Sequence, residues 1–153
     1  MVRSRTKHCE GVITHHLTHS NTHQEHIVQS SFPTRPRIPL GAPGRPGLAL
    51  QVQHPSHQTD DRSDVLYVHG STFGADMSIF YRFDGRSWAD ALNDAGHTVW
   101  GIDWAGYGRS ERYPQGVTTP VGSMAGVLPQ LRRVIAAIRA RNGDRPVALV
   151  AHS

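Results

Sequence analysis

Beyond residue 47, apolar and polar residues recur with two different periods, and these periods predict strands separated by helices. Residues 48–53 alternate apolar and polar side chains, as a half-buried strand does. Residues 65–68 and 147–151 are short apolar runs, typical of strands that are buried on both faces. Residues 97–103 return to strand character. We therefore expect four strands in this part of the chain.

Residues 87–95 have the spacing of a helix. Trp88, Leu92 and Ala95 recur at helical intervals and would share one face. Ser87 is suited to cap the amino end, and Gly96 is suited to end the helix.

A second helix is predicted before residues 147–151. Its apolar residues form one stripe: Leu128, Leu131, Val134, Ile135 and Ile138. Because proline disturbs a helix interior, Pro129 predicts a regular helix that begins near Val127, and Asn142-Gly143 predicts its end. From residue 65 onward the order is strand, helix, strand, helix, strand, which predicts an α/β fold with a parallel sheet and helices on its faces.

The first 47 residues differ in composition from the rest. Residues 1–31 are polar and rich in histidine, and residues 32–47 are dense in proline and glycine. Proline removes backbone donors and glycine costs backbone entropy, so we expect residues 1–47 to be a mostly disordered tail and linker. Residues 48–153 are expected to form the folded domain.

Charge and cysteine content narrow the classes of partner. The chain has 16 Lys and Arg against 12 Asp and Glu, with much of the excess in the first 50 residues. No aromatic residues interleave with those charges, so we expect a solvated tail and no nucleic-acid partner.

Cys9 is the only cysteine, which excludes an internal disulfide and fits a reducing compartment, so we expect a cytoplasmic protein. No membrane span or signal peptide is expected.

Three polar segments follow predicted strands, at the end of the sheet where ligands bind in open α/β folds. The first contains His69, Gly70, Ser71 and Thr72, and the third is Ala151-His152-Ser153. The second runs from Asp103 to Ser110 and lacks the third glycine of a dinucleotide-binding loop, because Glu111 stands there. We interpret it as a tight structural turn built on Asp103, Gly106, Gly108 and Ser110.

Taken together, the three segments resemble the α/β-hydrolase superfamily, in the branch of prolyl aminopeptidases, esterases and epoxide hydrolases. The resemblance runs from about residue 48 to Ser153 and implies that Ser153 is the catalytic nucleophile. It implies that the backbone N–H of Ser71, with Thr72 as its neighbour, stabilises the oxyanion, while His69 and Gly70 shape the turn. A serine nucleophile implies hydrolysis of a small-molecule ester or amide, without cofactor or metal.

In this superfamily the acid and the histidine follow the nucleophile, yet all 11 histidines precede Ser153. We therefore expect an N-terminal fragment of an α/β-hydrolase sheet that is inactive alone. Phe73, Phe80 and Tyr81 are candidates both for the pocket lining and for the core. Oligomeric state and substrate stay open.

Two alternatives concern the tail. His15, His19, His23 and His26 have helical spacing that could chelate a metal, although a polar disordered tail is the simpler interpretation. Residues 1–31 are also compatible with a wrongly assigned start of the protein.

Overall fold

The computed structural model describes residues 35–57, 63–116 and 122–152. The elements run in the order β1 (Arg37–Ala42), β2 (Arg45–Gln53), β3 (Asp64–Val68), a 3-10 turn (Ala75–Met77), α1 (Trp88–Asp94), β4 (Val99–Asp103), α2 (Met124–Arg139) and β5 (Val147–Ala151). The five strands form one sheet in the order β1-β2-β4-β3-β5. The predicted α/β class is confirmed.

The parallel part of the sheet is centred on β3. Val65 pairs with Val99 of β4 on one side and with Ala148 of β5 on the other, and both pairings are parallel. Parallel strands joined through a helix bring their carboxyl ends to the same edge of the sheet. The loops after β3, β4 and β5 therefore start at one edge.

The structure of the proline- and glycine-rich stretch shows that one prediction was wrong. It was expected to be linker up to residue 47, but β1 lies within it and β2 starts at Arg45. The two strands form an antiparallel hairpin in which Pro39 pairs with Ala49. Proline is tolerated because β1 is an edge strand and its outer side has no partner strand among the described residues. Residues 1–34 lie outside the described part of the chain.

The sheet has an apolar cluster on each face. On one face α2 packs with Val134 and Ile138 fully buried against residues such as Leu50, Leu66 and Ile102. Full burial of side chains of this size contributes roughly 1.5–3 kcal/mol each. The other face carries a smaller cluster: Tyr67, Ala75, Ile79, Phe80, Ala89 and Val99. Alternation of side chains along each strand supplies both clusters.

The start of α1 follows its prediction, but its buried face does not. Ser87 caps the helix: its hydroxyl accepts from the Asp90 N–H at 3.0 Å, and the Asp90 carboxylate accepts from the Ser87 N–H at 2.8 Å. Burial acts to raise the pKa of Asp90, but hydrogen bonds from Ser87, Arg82 and Gln53 outweigh it and lower the pKa to about 2. The inward residue is Ala89, whereas Trp88 is 72% exposed.

The second helix begins one turn earlier than predicted. Ser123 caps it by accepting from the Gly126 N–H at 3.2 Å, so α2 starts at Met124 with Pro129 in its second turn. Pro129 cannot donate to the carbonyl of Ala125, which costs α2 one hydrogen bond. The cap and the buried stripe outweigh that loss.

The β5 strand is apolar and uncovered. It pairs only with β3 among the described strands, and Leu149 and Val150, which point to opposite faces, are 50% and 39% exposed. An exposed apolar edge strand is a template for pairing with another chain. No helix among the described residues is long and apolar enough to cross a membrane.

We predict that the 153-residue chain self-associates through β5 and that Leu149→Lys reduces this association. A charge on an edge strand opposes strand pairing between molecules. Sedimentation velocity should show a shift toward monomer. Leu128→Lys, which changes a leucine 39% exposed on α2, is the matched control and should leave the distribution unchanged. Equal effects of the two variants would contradict pairing through β5.

Candidate active site

The loop after β3 is fixed by a buried histidine. His69 is 3% exposed, and its Nε2 accepts from the backbone N–H of Trp104 at 3.1 Å. Its Nδ1 lies 2.6 Å from the carbonyl oxygen of Gly70, which can only accept, so the proton is on Nδ1. The Trp104 indole N–H in turn donates to the His69 carbonyl at 2.9 Å. His69 is therefore a neutral link between the ends of β3 and β4.

A tyrosine fixes the next residue of the loop. The Tyr107 hydroxyl donates to the carbonyl of Ser71 at 2.8 Å, and its ring meets that of His69 edge-on with centroids 5.0 Å apart. Ser71 and Thr72 are exposed, and no described residue accepts a hydrogen bond from their backbone N–H groups. Within the described part of the chain, both N–H groups are therefore left without an acceptor at the edge where β3 ends.

The loop after β4 is organised around Asp103, which is 1% exposed. Its carboxylate accepts from the backbone N–H of Ala75 at 2.8 Å and from that of Arg109 at 3.1 Å. Ser110 donates to the Asp103 carbonyl and accepts from the Ala49 N–H at 2.8 Å. Asp103 thereby ties the 3-10 turn to the loop after its own strand.

Glycines make room for this carboxylate. A Cβ at Gly74 would lie 2.6 Å from the Asp103 carboxylate, and a Cβ at Gly108 would also collide with it. Gly106 and Gly108 both have positive φ, at 92° and 47°, which other residues rarely adopt. Gly106 has open space around it and is required by its backbone conformation alone.

The chain beyond β5 returns to the first loop. The N–H of His152 donates to the carbonyl of Val68 at 3.0 Å, which extends the β3–β5 ladder by one residue. His152 is exposed, and Ser153, the predicted nucleophile, follows it directly but lies outside the described residues. His15, His19, His23 and His26 also lie outside them.

Two cavities meet at Gly70 and His152. One, of about 260 Å³, is bordered by Thr72, Phe73 and Trp88. The other, of about 340 Å³, is bordered by Ser71, Tyr107 and Gln130. The candidate pocket residues divide accordingly: Phe73 lines a cavity, Phe80 is buried under Gly101, and Tyr81 is exposed away from both.

Residues that sequence reasoning missed complete the site. Trp104, Tyr107 and Gln130 were not singled out, and no local motif marks them. Gly101 carried a signal, since glycine inside a strand indicates a close approach, here by the Phe80 ring. Among the described residues no group of three His, Cys, Asp or Glu side chains is placed to hold a metal.

Comparison with known proteins gives a family match. The family model for the alpha/beta hydrolase fold matches residues 64–153. No curated protein matches the chain.

Solved structures share the fold. A thioesterase domain from the curacin biosynthetic pathway is 24% identical, with a TM-score of 0.55 over 78% of this chain and 37% of its own. An alpha-beta serine hydrolase homologue from Coxiella burnetii is 17% identical, with a TM-score of 0.57 over 78% of this chain and 52% of its own. A thermostable carboxyl esterase from Bacillus coagulans is 14% identical, with a TM-score of 0.57 over 76% of this chain and 35% of its own. The chain thus spans between about a third and a half of these structures.

We predict that Gly108→Ala destabilises the fold more than Gly106→Ala does. Each substitution introduces strain at positive φ of about 1 kcal/mol, but only the methyl group added at position 108 collides with the Asp103 carboxylate, which adds about 1–3 kcal/mol. Urea unfolding would measure both. Equal losses of unfolding free energy would show that the carboxylate can move without cost.

We predict that His69 makes the fold less stable in acid. Burial, the largest effect, lowers the pKa of His69 below its ordinary 6.5, although the Gly70 carbonyl and Asp103 act in the opposite direction. The unfolded chain then binds the proton more readily, so stability is complete above pH 6.5 and falls as the pH drops below it.

The measurement is the free energy of unfolding from pH 8 to pH 5 in wild type and in His69→Gln. The difference between the two curves isolates His69 from the other histidines. A difference that does not vary with pH would contradict the assignment of a neutral, buried imidazole.

Proposed function

Because this chain belongs to the α/β-hydrolase fold family, we propose that it is the N-terminal part of a serine hydrolase that cleaves an ester, thioester or amide bond in a small molecule. The family match covers the strands and loops that build the candidate site. The solved structures described as a thioesterase and a carboxyl esterase support acyl transfer to water as the reaction class.

One observation carries the proposal. The hydrogen bond from His152 to Val68 brings the residue before Ser153 alongside the loop that presents the Ser71 and Thr72 N–H groups. Nucleophilic acyl transfer requires that arrangement, because the attacked carbonyl carbon and its developing oxyanion lie about one bond length apart.

The proposed reaction begins with attack of the Ser153 hydroxyl on the substrate carbonyl. The backbone N–H of Ser71, with Thr72 beside it, receives the oxyanion, and each such donor contributes roughly 3–4 kcal/mol to transition-state stabilisation. The hydrogen bond from His69 Nδ1 to the Gly70 carbonyl holds the peptide unit that carries the Ser71 N–H, and the Tyr107 hydroxyl holds the one that carries the Thr72 N–H.

His69 is not the base of the proposed reaction. Both nitrogens of His69 are engaged by backbone groups, and burial lowers its pKa, so it cannot accept the serine proton. We propose that the histidine and its acid follow residue 153 in the longer protein. The 153-residue chain alone is then inactive, and its exposed β5 is the edge on which the remaining sheet would be added.

We predict that the longer protein hydrolyses p-nitrophenyl acetate and is labelled by a fluorophosphonate at Ser153, whereas residues 1–153 do neither. Ser153→Ala should abolish both signals because it removes the nucleophile. Turnover by the 153-residue chain that depends on Ser153 would refute its inactivity. Labelling that persists in Ser153→Ala would refute the nucleophile.

A matched pair of variants at Ser71 tests the proposed oxyanion donor. Ser71→Ala keeps the backbone N–H and should retain kcat, while Ser71→Pro removes it and should lower kcat by about 10²–10³. A large loss in Ser71→Ala would instead indicate a role for the hydroxyl.

A further inference from the structure

A third cavity, of about 390 Å³, lies beside α2 at the active-site end of the sheet. It is bordered by the turn between β1 and β2, by Tyr113 and by the first turns of α2. Since Ala49 of β2 pairs with Asp103, the last residue of β4, the start of β2 lies at the edge where β4 ends. The cavity and the candidate active site therefore open from the same edge.

The charged residues of this cavity are two arginines. Arg45 and Arg133 line it, and none of its described lining residues is acidic. Arg133 is held through one nitrogen, Nη2, which donates to the carbonyl of Pro46 at 2.8 Å. Its Nε and Nη1 are shielded from water and have no hydrogen-bond partner among the described residues. The Arg133 guanidinium therefore has no acidic partner among the lining residues, and its positive charge beside the cavity favours an anionic ligand.

Electrostatics support the same interpretation. The pKa of Arg133 is lowered first by burial and then by the positive charge of Arg45, so the two guanidinium groups repel each other. Glu111 acts in the opposite direction, but its carboxylate accepts from the Gly47 N–H at 2.7 Å and does not line the cavity. The first turn of α2, at the positive end of the helix dipole, also borders the space.

The cavity adjoins the candidate active site. Tyr113 and Gln130 border both this space and the 340 Å³ cavity next to Ser71. The two side chains are joined by a hydrogen bond from Gln130 Nε2 to the Tyr113 hydroxyl at 2.9 Å. A ligand that reaches across this pair would extend from the Ser71 loop to the arginines.

We propose that the Arg45–Arg133 cavity is the subsite for an anionic group of the substrate, a phosphate or carboxylate remote from the cleaved bond. The substrate class is then an ester, thioester or amide with an anionic tail: its carbonyl lies at Ser71, and its tail passes Tyr113 and Gln130. The role in catalysis rests on the proposed hydrolase function, whereas binding of the anion does not.

The test uses the 153-residue chain and two probes, inorganic pyrophosphate and acetate, in separate NMR titrations. We expect pyrophosphate to shift the backbone amide signals of Gly44 and Gly126, which border the cavity. Arg133→Gln and Arg45→Gln should each weaken binding by about tenfold, since each removes one of the two positive charges that line the cavity. Binding of acetate at the same amides would identify the tail as a carboxylate, and binding of pyrophosphate alone as a phosphate.

Arg132→Gln is the matched control, because Arg132 is the neighbouring arginine on α2, is exposed and does not line the cavity. It should bind pyrophosphate like wild type. Circular dichroism checks that each variant folds. If Arg133→Gln unfolds, Arg45→Gln decides the test, because Arg45 is exposed. Absence of binding by both probes, or an equal loss in Arg132→Gln, would overturn the proposal.

These outcomes are separate from those for the hydrolase. If the longer protein is not labelled at Ser153, the proposed function is refuted. Binding of an anion between Arg45 and Arg133, where it is observed, is still supported. If the longer protein is labelled at Ser153 but residues 1–153 bind neither probe, the nucleophile is supported and the anionic tail of the substrate is refuted.

Discussion

One buried carboxylate holds together the two loops that face the candidate active site. Asp103 ends β4 and accepts backbone N–H groups from Ala75 and Arg109, which belong to different loops. A charge this deeply buried is costly unless it is fully hydrogen-bonded, so the carboxylate and the two donors require one another. The loops can close around it only where Gly74 and Gly108 lack a Cβ. The spacing of glycines in this part of the sequence therefore follows from the needs of a single side chain.

Asp103 sets the distance between the loops, and two side chains set the orientation of the first loop. His69 exchanges hydrogen bonds with Trp104, and Tyr107 holds the carbonyl of Ser71. His69 also holds the Gly70 carbonyl, so the peptide units that carry the Ser71 and Thr72 N–H groups are both fixed, and in the proposed reaction these donors are in place before an oxyanion forms. Such preorganisation accounts for much of the rate enhancement in acyl transfer.

Sequence patterns predicted the parallel strands well and the turns less well. The apolar runs at 65–68 and 147–151 predicted β3 and β5 because short apolar runs rich in valine favour strand, although only β3 is buried and β5 is exposed. Residues 48–53 of β2 were predicted, but β1 and the start of β2 were missed because their prolines and glycines are locally unfavourable. β1 forms because Ile38 and Leu40 pair with Leu50 and Leu48 in the sheet. Trp104 and Tyr107 could not be found from the sequence, because their partners lie about 35 residues away and no fixed spacing encodes them.

The position of α2 connects the fold to the proposed subsite. Gln130 accepts from the Ala105 N–H at 2.9 Å and donates to the Tyr113 hydroxyl, so the helix is fastened to the loop that follows Asp103. Further along α2, the buried side chains of Val134 and Ile138 pack the helix against the same sheet. The backbone of Arg133 is therefore held at a fixed distance from the end of β4, and the Ser71 loop is held to that same end through Trp104 and Tyr107. In the proposed enzyme, a rigid spacing of this kind would select substrates by the distance between the cleaved bond and the negative charge.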